Sequence, residues 1–256
     1  MKKVGFIGGG RAARIFLGGF QRAGEMPEDI VVSDTNINVL NGLKEEFPGI
    51  GVAPDDNRQA AMQDIVFVAL PFSVMGKVLS EIQPHLNADS ILVSLAPKLT
   101  ITRISEILNG FQRIVRMTPN APSIVNEGYN PVVFSKAFTD AEREELLSIF
   151  ATLGESPEVS EELLEAYTIL TAIGPTYLWF QLYELQKLGK SFGLSDNQLE
   201  EGILKMVTGA VKTMYSSGLP PQEVMDLILL KPLAEGEETI KNIYRSKLEA
   251  LYSSLK

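Results

Sequence analysis

The chain of 256 residues contains no cysteine, and this absence removes several kinds of chemistry at once. Without cysteine there is no disulfide, no thiolate nucleophile and no cysteine-coordinated zinc. Histidine is nearly absent too, because His85 is the only one. It follows Pro84 between two apolar segments, so we expect it in a loop or on the surface. A histidine-based triad and a multi-histidine metal site are excluded, and we expect no metal. Catalysis would have to use hydroxyls, carboxylates, lysine, backbone groups or a cofactor.

Long apolar runs and dense clusters of lysine and arginine are also missing. No run approaches the roughly 20 residues that span a membrane, and the run at 4–7 is too short for the core of a secretory signal. The net charge of −9 argues against a nucleic-acid surface, which needs a basic patch. The composition, 45% hydrophobic and 21% charged, is typical of a globular protein with an ample core. We therefore expect a cytoplasmic protein with small-molecule ligands and neither a membrane nor a nucleic-acid partner.

A glycine-rich turn near the start of the chain lies between an apolar segment and a helical pattern. Gly8, Gly10 and Ala13 fit the spacing G-x-G-x-x-G/A, in which the first position permits a tight turn. The missing side chain of Gly10 lets a pyrophosphate approach the backbone, and the small Ala13 lets the helix pack closely on its strand. Arg11 and Ala12 begin the helix and offer N–H groups and a positive dipole end to phosphates. The pattern predicts a dinucleotide site; the alternative is a glycine turn that binds nothing.

Short apolar runs alternate with helical patterns through the first 157 residues. The apolar runs lie at 4–7, 29–34, 64–71, 90–96 and 113–117, and the helical patterns between them lie at 36–47, 73–82 and 102–108. Such short, near-continuous apolar runs indicate a parallel sheet that is buried on both faces. A further run at 129–134 is a candidate edge strand. The first domain is therefore predicted to be a doubly wound α/β sheet over residues 1–157.

Ligands of doubly wound sheets bind beyond the carboxyl ends of the strands. We therefore expect the loops at Ala69-Leu70-Pro71, Ala96-Pro97-Lys98 and 118–122 to point towards the glycine turn. Ala69, Leu70, Pro71 and Ala96 are candidate cofactor contacts for this reason.

Asp34 ends the second apolar run and is a candidate for cofactor selection. An acid at this place can accept hydrogen bonds from the adenine ribose, and it would repel the extra phosphate of NADP. Asp34 therefore favours NAD on physical grounds. The alternative is an aspartate that begins a loop and caps the helix at 36–47.

The pattern changes near residue 157, after which strand-like runs cease. Helical patterns follow at 196–216, 221–230 and 238–255, and Ser195 with Gln198 forms a candidate capping box. We predict an all-helical second domain over residues 158–256. Its apolar surface, which includes Trp179, Phe180 and Tyr183, favours a homodimer or higher homo-oligomer over simple coverage of the first domain.

A Gly-Pro pair, Gly174-Pro175, interrupts a helical pattern in this second half. Proline has no N–H and its ring clashes with the carbonyl four residues earlier, that of Thr171, so we expect a kink with free polar backbone. Thr168 and Thr171 lie on one face beside the kink. A hydroxyl there could donate a proton or hold a polar substrate. The alternative is a kinked core helix whose threonines bond to their own backbone.

Several motifs together resemble one family, the pyrroline-5-carboxylate reductases, across essentially the whole chain. They are the glycine turn, Asp56-Asn57, the segment Arg116-Met117-Thr118-Pro119-Asn120-Ala121-Pro122 (similar to R-x-M-P-N-T-P) with Glu127-Gly128 after it, and 168–177 (similar to T-x-L-S-G-S-G-P-A-Y). The family has a Rossmann domain and a helical dimerisation domain. Its members reduce a cyclic imine to proline with NADPH or NADH.

The resemblance implies roles for particular residues. Asn57 joins the cofactor contacts, and Thr168 matches the threonine proposed to donate to the ring nitrogen. Substrate contacts are implied for Asn120, Thr171, Gly174 and Pro175. The implied cofactor is NADP or NAD, with the preference left open.

The chain departs from the family pattern where the substrate carboxylate is held. The family's loop S-P-G-G-T-T is absent, and 229–236 stands in its place with Glu235 followed closely by Glu237. These acids would repel a carboxylate, whereas Lys231 could attract it. Two other functions therefore stay open: reduction of another imine or carbonyl compound, and dinucleotide binding without turnover.

Overall fold

The computed structural model describes residues 2–256, which divide into two compact units. The first contains the residues up to Ile173 together with Tyr252–Lys256, and the second is Gly174–Leu251. The division falls at the Gly174-Pro175 break, whereas the sequence pattern placed the boundary at 157/158. The reason is that the intervening segment is held to the first unit by polar contacts, among them the ion pairs of Glu161 and Glu165 with Arg116.

A seven-stranded sheet forms the centre of the first unit. Its strands are β1 (Val4–Ile7), β2 (Ile30–Asp34), β3 (Gly51–Pro54), β4 (Ile65–Val68), β5 (Ile91–Ser94), β6 (Ile114–Met117) and β8 (Val132–Phe134). They lie in the order β3-β2-β1-β4-β5-β6-β8, and only β8 is antiparallel. A separate parallel pair joins β7 (Gly128–Tyr129) to β9 (Gly154–Glu155). Strand order reverses between β1 and β4, and this reversal confirms the predicted doubly wound α/β sheet.

Helices cover both faces of this sheet. They are α1 (Arg11–Ala23), α2 (Ile37–Glu46), α3 (Asn57–Ala61), α4 (Phe72–Ile82), α5 (Ile101–Ile107) and α6 (Asp140–Phe150), and α7 (Leu164–Tyr167) leads into a π-helical turn at Thr168–Ala172. Each face buries its own core. Phe6 stacks on Phe67 at 4.9 Å between ring centroids on one face, whereas Val66 and Leu79 belong to the core of the other. Burial on both faces explains why the sequences of the strands are nearly continuous runs of apolar residues.

Several elements differ from the sequence predictions. The edge run at 129–134 divides into β7 and β8, because the Asn130-Pro131 pair separates them. The helical pattern at 221–230 ends earlier, at Asp226. His85 lies half-buried in a short 3₁₀ turn. Neither β3 nor α6 was predicted, because β3 carries a glycine and a proline and α6 carries many charges.

The second unit is helical, with α8 (Pro175–Ser191), α9 (Asp196–Ser216) and α10 (Pro221–Asp226), and it contains most of α11 (Glu237–Leu255). The predicted capping box is present, because Ser195 accepts from the Gln198 N–H and Gln198 accepts in return from the Ser195 N–H. Many large apolar side chains of this unit are exposed in the single chain, among them Phe180 at 68% and Tyr215 at 81%. Within residues 2–256, none of the helices has the length and apolar character needed to cross a membrane.

Candidate functional site

The glycine turn joins β1 to α1 at the point where the strand order reverses. Gly8 has a φ of 98°, in the left-handed region that favours glycine, and an added Cβ would lie 2.6 Å from the carbonyl oxygen of Ala69. Gly10 borders open space instead, since an added Cβ would meet nothing within 4 Å. It also begins α1 without a side-chain cap. The first N–H groups of α1 have no acceptor within the helix, and they lie beside this open space. We refer to Gly8, Gly10 and these N–H groups together as the cradle.

Asp34 lies beside this cradle at the end of β2. Its Oδ2 accepts a hydrogen bond from the Gly9 N–H at 2.8 Å, and its Oδ1 accepts from the Asn36 N–H at 2.8 Å. The cap of α2 is Asn36, whose side chain accepts from Asn38, so Asp34 is not the capping residue of the alternative interpretation. The structure therefore brings Asp34 against the glycine turn. Each carboxylate oxygen keeps further acceptor capacity towards the solvent side.

Both polar atoms of the Asn57 side chain form hydrogen bonds within the protein. Its Oδ1 accepts from the Ser33 hydroxyl at 2.8 Å, and its Nδ2 donates to Glu81 at 3.2 Å. Asn57 thus ties β2 to α4 behind the carboxyl ends of the strands. Ala69, which follows β4, donates its N–H to the Ile7 carbonyl at 2.8 Å, so the loop Ala69-Leu70-Pro71 lies next to the glycine turn as predicted.

A cavity of about 140 Å³ lies within the first unit at the carboxyl ends of β5 and β6. Its lining includes Ala96, Pro97, Thr118, Pro119, Thr168 and Ala172. The Thr168 hydroxyl lies 3.1 Å from the Leu164 carbonyl and 3.3 Å from the Thr118 hydroxyl. The structure therefore brings Thr168 to the same strand ends as Ala96, although the two residues are far apart in sequence.

The π-helical turn that carries Thr168 is fastened by Asn120. Pro175 has no N–H to donate to the Thr171 carbonyl four residues earlier, and Asn120 Nδ2 donates to this oxygen at 2.7 Å. Asn120 Oδ1 accepts in turn from the Tyr129 N–H at 3.3 Å. The Thr171 hydroxyl bonds back to Tyr167 at 2.8 Å, in line with the alternative interpretation of these threonines. Asn120 thus braces the turn, and π-helical turns are frequent at functional sites.

Arg116 forms a buried ion cluster under this turn. Its side chain is 1% exposed, and it donates to Glu161 at 3.0 Å and to Glu165 at 2.6 Å. The same two carboxylates accept from the N–H group of Lys98 in the loop after β5 and from that of Ile101, the first residue of α5. The cluster therefore fixes both the loop after β5 and the segment that leads to Thr168. Sequence reasoning missed it, because its partners lie 45 and 49 residues apart and show no local pattern.

Tyr129 and Tyr167 form an aromatic pair beside the braced turn. Their ring centroids lie 6.2 Å apart. Burial, together with the neighbouring Tyr167, raises the pKa of the Tyr129 phenol above its ordinary value. Tyr129 therefore stays protonated at neutral pH and adds no charge to the site.

The remaining candidates belong to the second unit. Gly174 precedes α8 and Pro175 is its first residue. Lys231 forms an ion pair with Asp226 at 2.8 Å, so its charge is already matched within that unit. Its neighbours Leu229 and Leu230 are 97% and 81% exposed.

Comparisons with known proteins agree with this arrangement. A family model described as NADP oxidoreductase, coenzyme F420-dependent, matches residues 3–98. The pyrroline-5-carboxylate reductase of Escherichia coli is 29% identical over 228 residues, which cover 89% of this chain and 84% of that protein. The enzyme of that name from Methanosarcina acetivorans is 27% identical over 229 residues, 89% of this chain and 84% of its own.

Solved structures give the same result. The pyrroline-5-carboxylate reductase of Coxiella burnetii superimposes with a TM-score of 0.70 at 26% identity and covers 99% of this chain and 94% of its own. The Plasmodium falciparum pyrroline carboxylate reductase, solved with NADP bound, superimposes with a TM-score of 0.79 over 99% of this chain and 95% of its own. At 22% identity the latter likeness shows the fold.

The doubly wound sheet, the open glycine cradle and these relatives define an NAD(P)-dependent oxidoreductase. More narrowly, the relatives that resemble the chain over most of its length are pyrroline-5-carboxylate reductases.

Proposed function

We propose that this chain reduces pyrroline-5-carboxylate to proline with NADH or NADPH, a step of proline biosynthesis. The observation that carries the proposal is the Thr168 hydroxyl, which lines the cavity beyond β5 and β6 on the sheet whose glycine turn forms the open cradle. A hydroxyl donor beside a dinucleotide site suits imine reduction, because the nitrogen must gain a proton while the carbon gains a hydride. The relatives' names support the same reaction.

The residues of the cradle fit a dinucleotide. Gly8, Gly10, Arg11 and Ala12 would hold the pyrophosphate through backbone N–H groups, with Asp34 towards the adenine ribose. The set is completed by Asn57, Ala69, Leu70, Pro71 and Ala96, which follow β3, β4 and β5. A bound reduced nicotinamide supplies the hydride.

On the substrate side, the Thr168 hydroxyl donates to the ring nitrogen, and its Oγ1 carries the proton that the nitrogen receives. Asn120 keeps the Thr168 turn in place through the Thr171 carbonyl. Thr171, Gly174, Pro175 and Lys231 are proposed as the remaining substrate contacts.

The segment after α10 supports a second candidate, the reduction of a different imine or carbonyl compound. Leu229 and Leu230 stand exposed in the segment 229–236, which replaces the family's S-P-G-G-T-T loop, and Glu235 follows them in this segment. An apolar segment of this kind suits a substrate with more apolar surface than pyrroline-5-carboxylate.

Steady-state oxidation of NADH and NADPH by the purified protein tests the proposal. Saturable oxidation with pyrroline-5-carboxylate supports the first candidate. Oxidation only with bulkier cyclic imines or ketones supports the second. A protein that binds the dinucleotide but oxidises it with none of these compounds contradicts both, and points to binding without turnover.

Asp34→Ser is expected to tighten NADPH binding by roughly tenfold, because the aspartate would lie near the 2′-phosphate and repel it. NADH binding should weaken at the same time, since an acceptor for the ribose is lost. Titration of both cofactors against both proteins measures the change. Asp29→Ser is the matched control, because Asp29 precedes the same strand and pairs with Lys3. Unchanged affinity for both cofactors in Asp34→Ser removes Asp34 from the site.

The proposed assembly is a homodimer or a higher homo-oligomer formed through the helical second unit. A groove of about 480 Å³ between α8 and α9 is lined mainly by apolar side chains, including Trp179 and Tyr183. Exposed apolar surface on this scale is typical of protein interfaces. Light scattering should give a mass of at least twice 28.1 kDa. The cytoplasmic location stays a prediction.

A further inference from the structure

The hydroxyl of Thr118 is the closest side-chain partner that the structure gives to Thr168. Thr118 directly follows β6 and is 4% exposed, and its N–H donates to the Pro131 carbonyl at 3.0 Å. Its Oγ1 lies 3.3 Å from Thr168 Oγ1, and both residues line the same cavity. In the motif that resembles R-x-M-P-N, Thr118 occupies the methionine position, so this hydroxyl is a feature of this chain.

The contact between the two threonines belongs to a built junction. Two positions after Thr118, Asn120 donates to the carbonyl of Thr171 at 2.7 Å. The segment 118–120 is therefore fixed to the turn 168–171 at two points. The rigid Pro119 lies between them and limits the freedom of the backbone.

The proton of Thr168 has two competing uses. A threonine hydroxyl carries one hydrogen and two acceptor lone pairs. The Leu164 carbonyl, 3.1 Å away, can only accept, so a bond to it uses the one proton of Thr168. The Thr118 hydroxyl can donate, and a bond from it occupies a lone pair of Thr168 and does not use the Thr168 proton, which can pass from the Leu164 carbonyl to a substrate.

We propose that Thr118 is a positioning residue that donates to Thr168 Oγ1 and directs the Thr168 proton to the imine nitrogen. This inference rests on the proposed function. The Thr168 hydroxyl gives its proton to the nitrogen as the carbon receives the hydride, and water then returns a proton to that oxygen. A donor at Thr118 stabilises the negative charge that develops on Thr168 Oγ1 during the transfer. The 3.3 Å contact should shorten when the substrate is bound, as catalytic hydrogen bonds often do.

Thr118→Val tests this role, because valine keeps the shape and removes the hydroxyl. We expect kcat to fall about tenfold or more, in keeping with the loss of one hydrogen bond to a developing charge. KM and the dissociation constant of the dinucleotide should stay unchanged. Thr118→Ser should restore most of kcat. The solvent deuterium isotope effect on kcat should rise in Thr118→Val, because proton transfer becomes more limiting, and a merely structural residue would not produce this change.

Two comparisons decide the outcome. The double variant Thr118→Val/Thr168→Val should be no slower than Thr168→Val alone, because Thr118 acts only through Thr168. Thr152→Val is the control for removing a half-buried hydroxyl, since Thr152 bonds to its own turn at Ile149 and lines a different cavity. A full kcat in Thr118→Val, or additive losses in the double variant, overturns the inference alone. No turnover of pyrroline-5-carboxylate by the unmodified chain overturns the proposed function and this inference with it.

Discussion

Thr168→Val is expected to lower kcat for imine reduction by about a hundredfold or more, which is the usual contribution of a positioned proton donor. The variant keeps the volume of the side chain and removes the hydroxyl that we propose as the proton donor to the ring nitrogen. The dissociation constant of the dinucleotide should remain unchanged, because the cradle is formed by the turn between β1 and α1. Stopped-flow measurement of a single turnover, with separate cofactor titration, distinguishes the two effects.

Thr168→Ser is the matched variant for this prediction. It retains the hydroxyl and loses one methyl group, so it should keep a large share of the activity. An equal loss of turnover and cofactor affinity in Thr168→Val would assign the residue a structural role. Full activity in Thr168→Val would contradict its place in the proposed site.

Arg116→Leu is expected to lower the free energy of unfolding by about 3 kcal/mol or more, because a buried carboxylate loses its cation. Glu165 is affected most, since its side chain is 12% exposed against 30% for Glu161. The loop after β5 and the segment before Thr168 are both fastened to this cluster, so turnover should fall with stability. Urea unfolding followed by circular dichroism measures the change.

Two further variants locate the cause of this loss. Arg116→Leu/Glu165→Gln should recover part of the stability, because the unpaired charge is removed together with its partner. Arg14→Leu breaks an ion pair with Glu46 that is as short as the pair of Arg116 with Glu165. The side chains of Arg14 and Glu46 are both exposed, so the free energy of unfolding should change by no more than about 1 kcal/mol. Equal losses in Arg116→Leu and Arg14→Leu would show that burial of the Arg116 cluster is unimportant.

Local chemistry made much of the first unit predictable. Gly8 and Gly10 predicted the turn, and the structure supplies a positive φ at one and open space at the other. The apolar runs predicted the parallel strands, since burial on both faces removes polar alternation. Ser195 and Gln198 predicted the start of α9, because a capping box can be recognised from four consecutive residues.

Features that depend on distant partners were not predictable. The sequence shows that Pro175 cannot donate to the carbonyl of Thr171, but the donor that the structure supplies, Asn120, lies 51 residues away. The ion cluster of Arg116 and the contact of Thr118 with Thr168 likewise join segments that only the tertiary fold brings together. The division at Gly174 also depends on these contacts, because they hold the preceding segment to the first unit.

In the proposed reaction, this chain transfers a hydride from a reduced nicotinamide to the imine carbon of pyrroline-5-carboxylate. The most direct measurement supplies the cofactor with deuterium at the transferable position and analyses the product by mass spectrometry. We expect proline that carries one deuterium at the former imine carbon, formed by the unmodified chain and at a greatly reduced rate by Thr168→Val. Unlabelled product, or no proline from a protein that binds the dinucleotide, would contradict it.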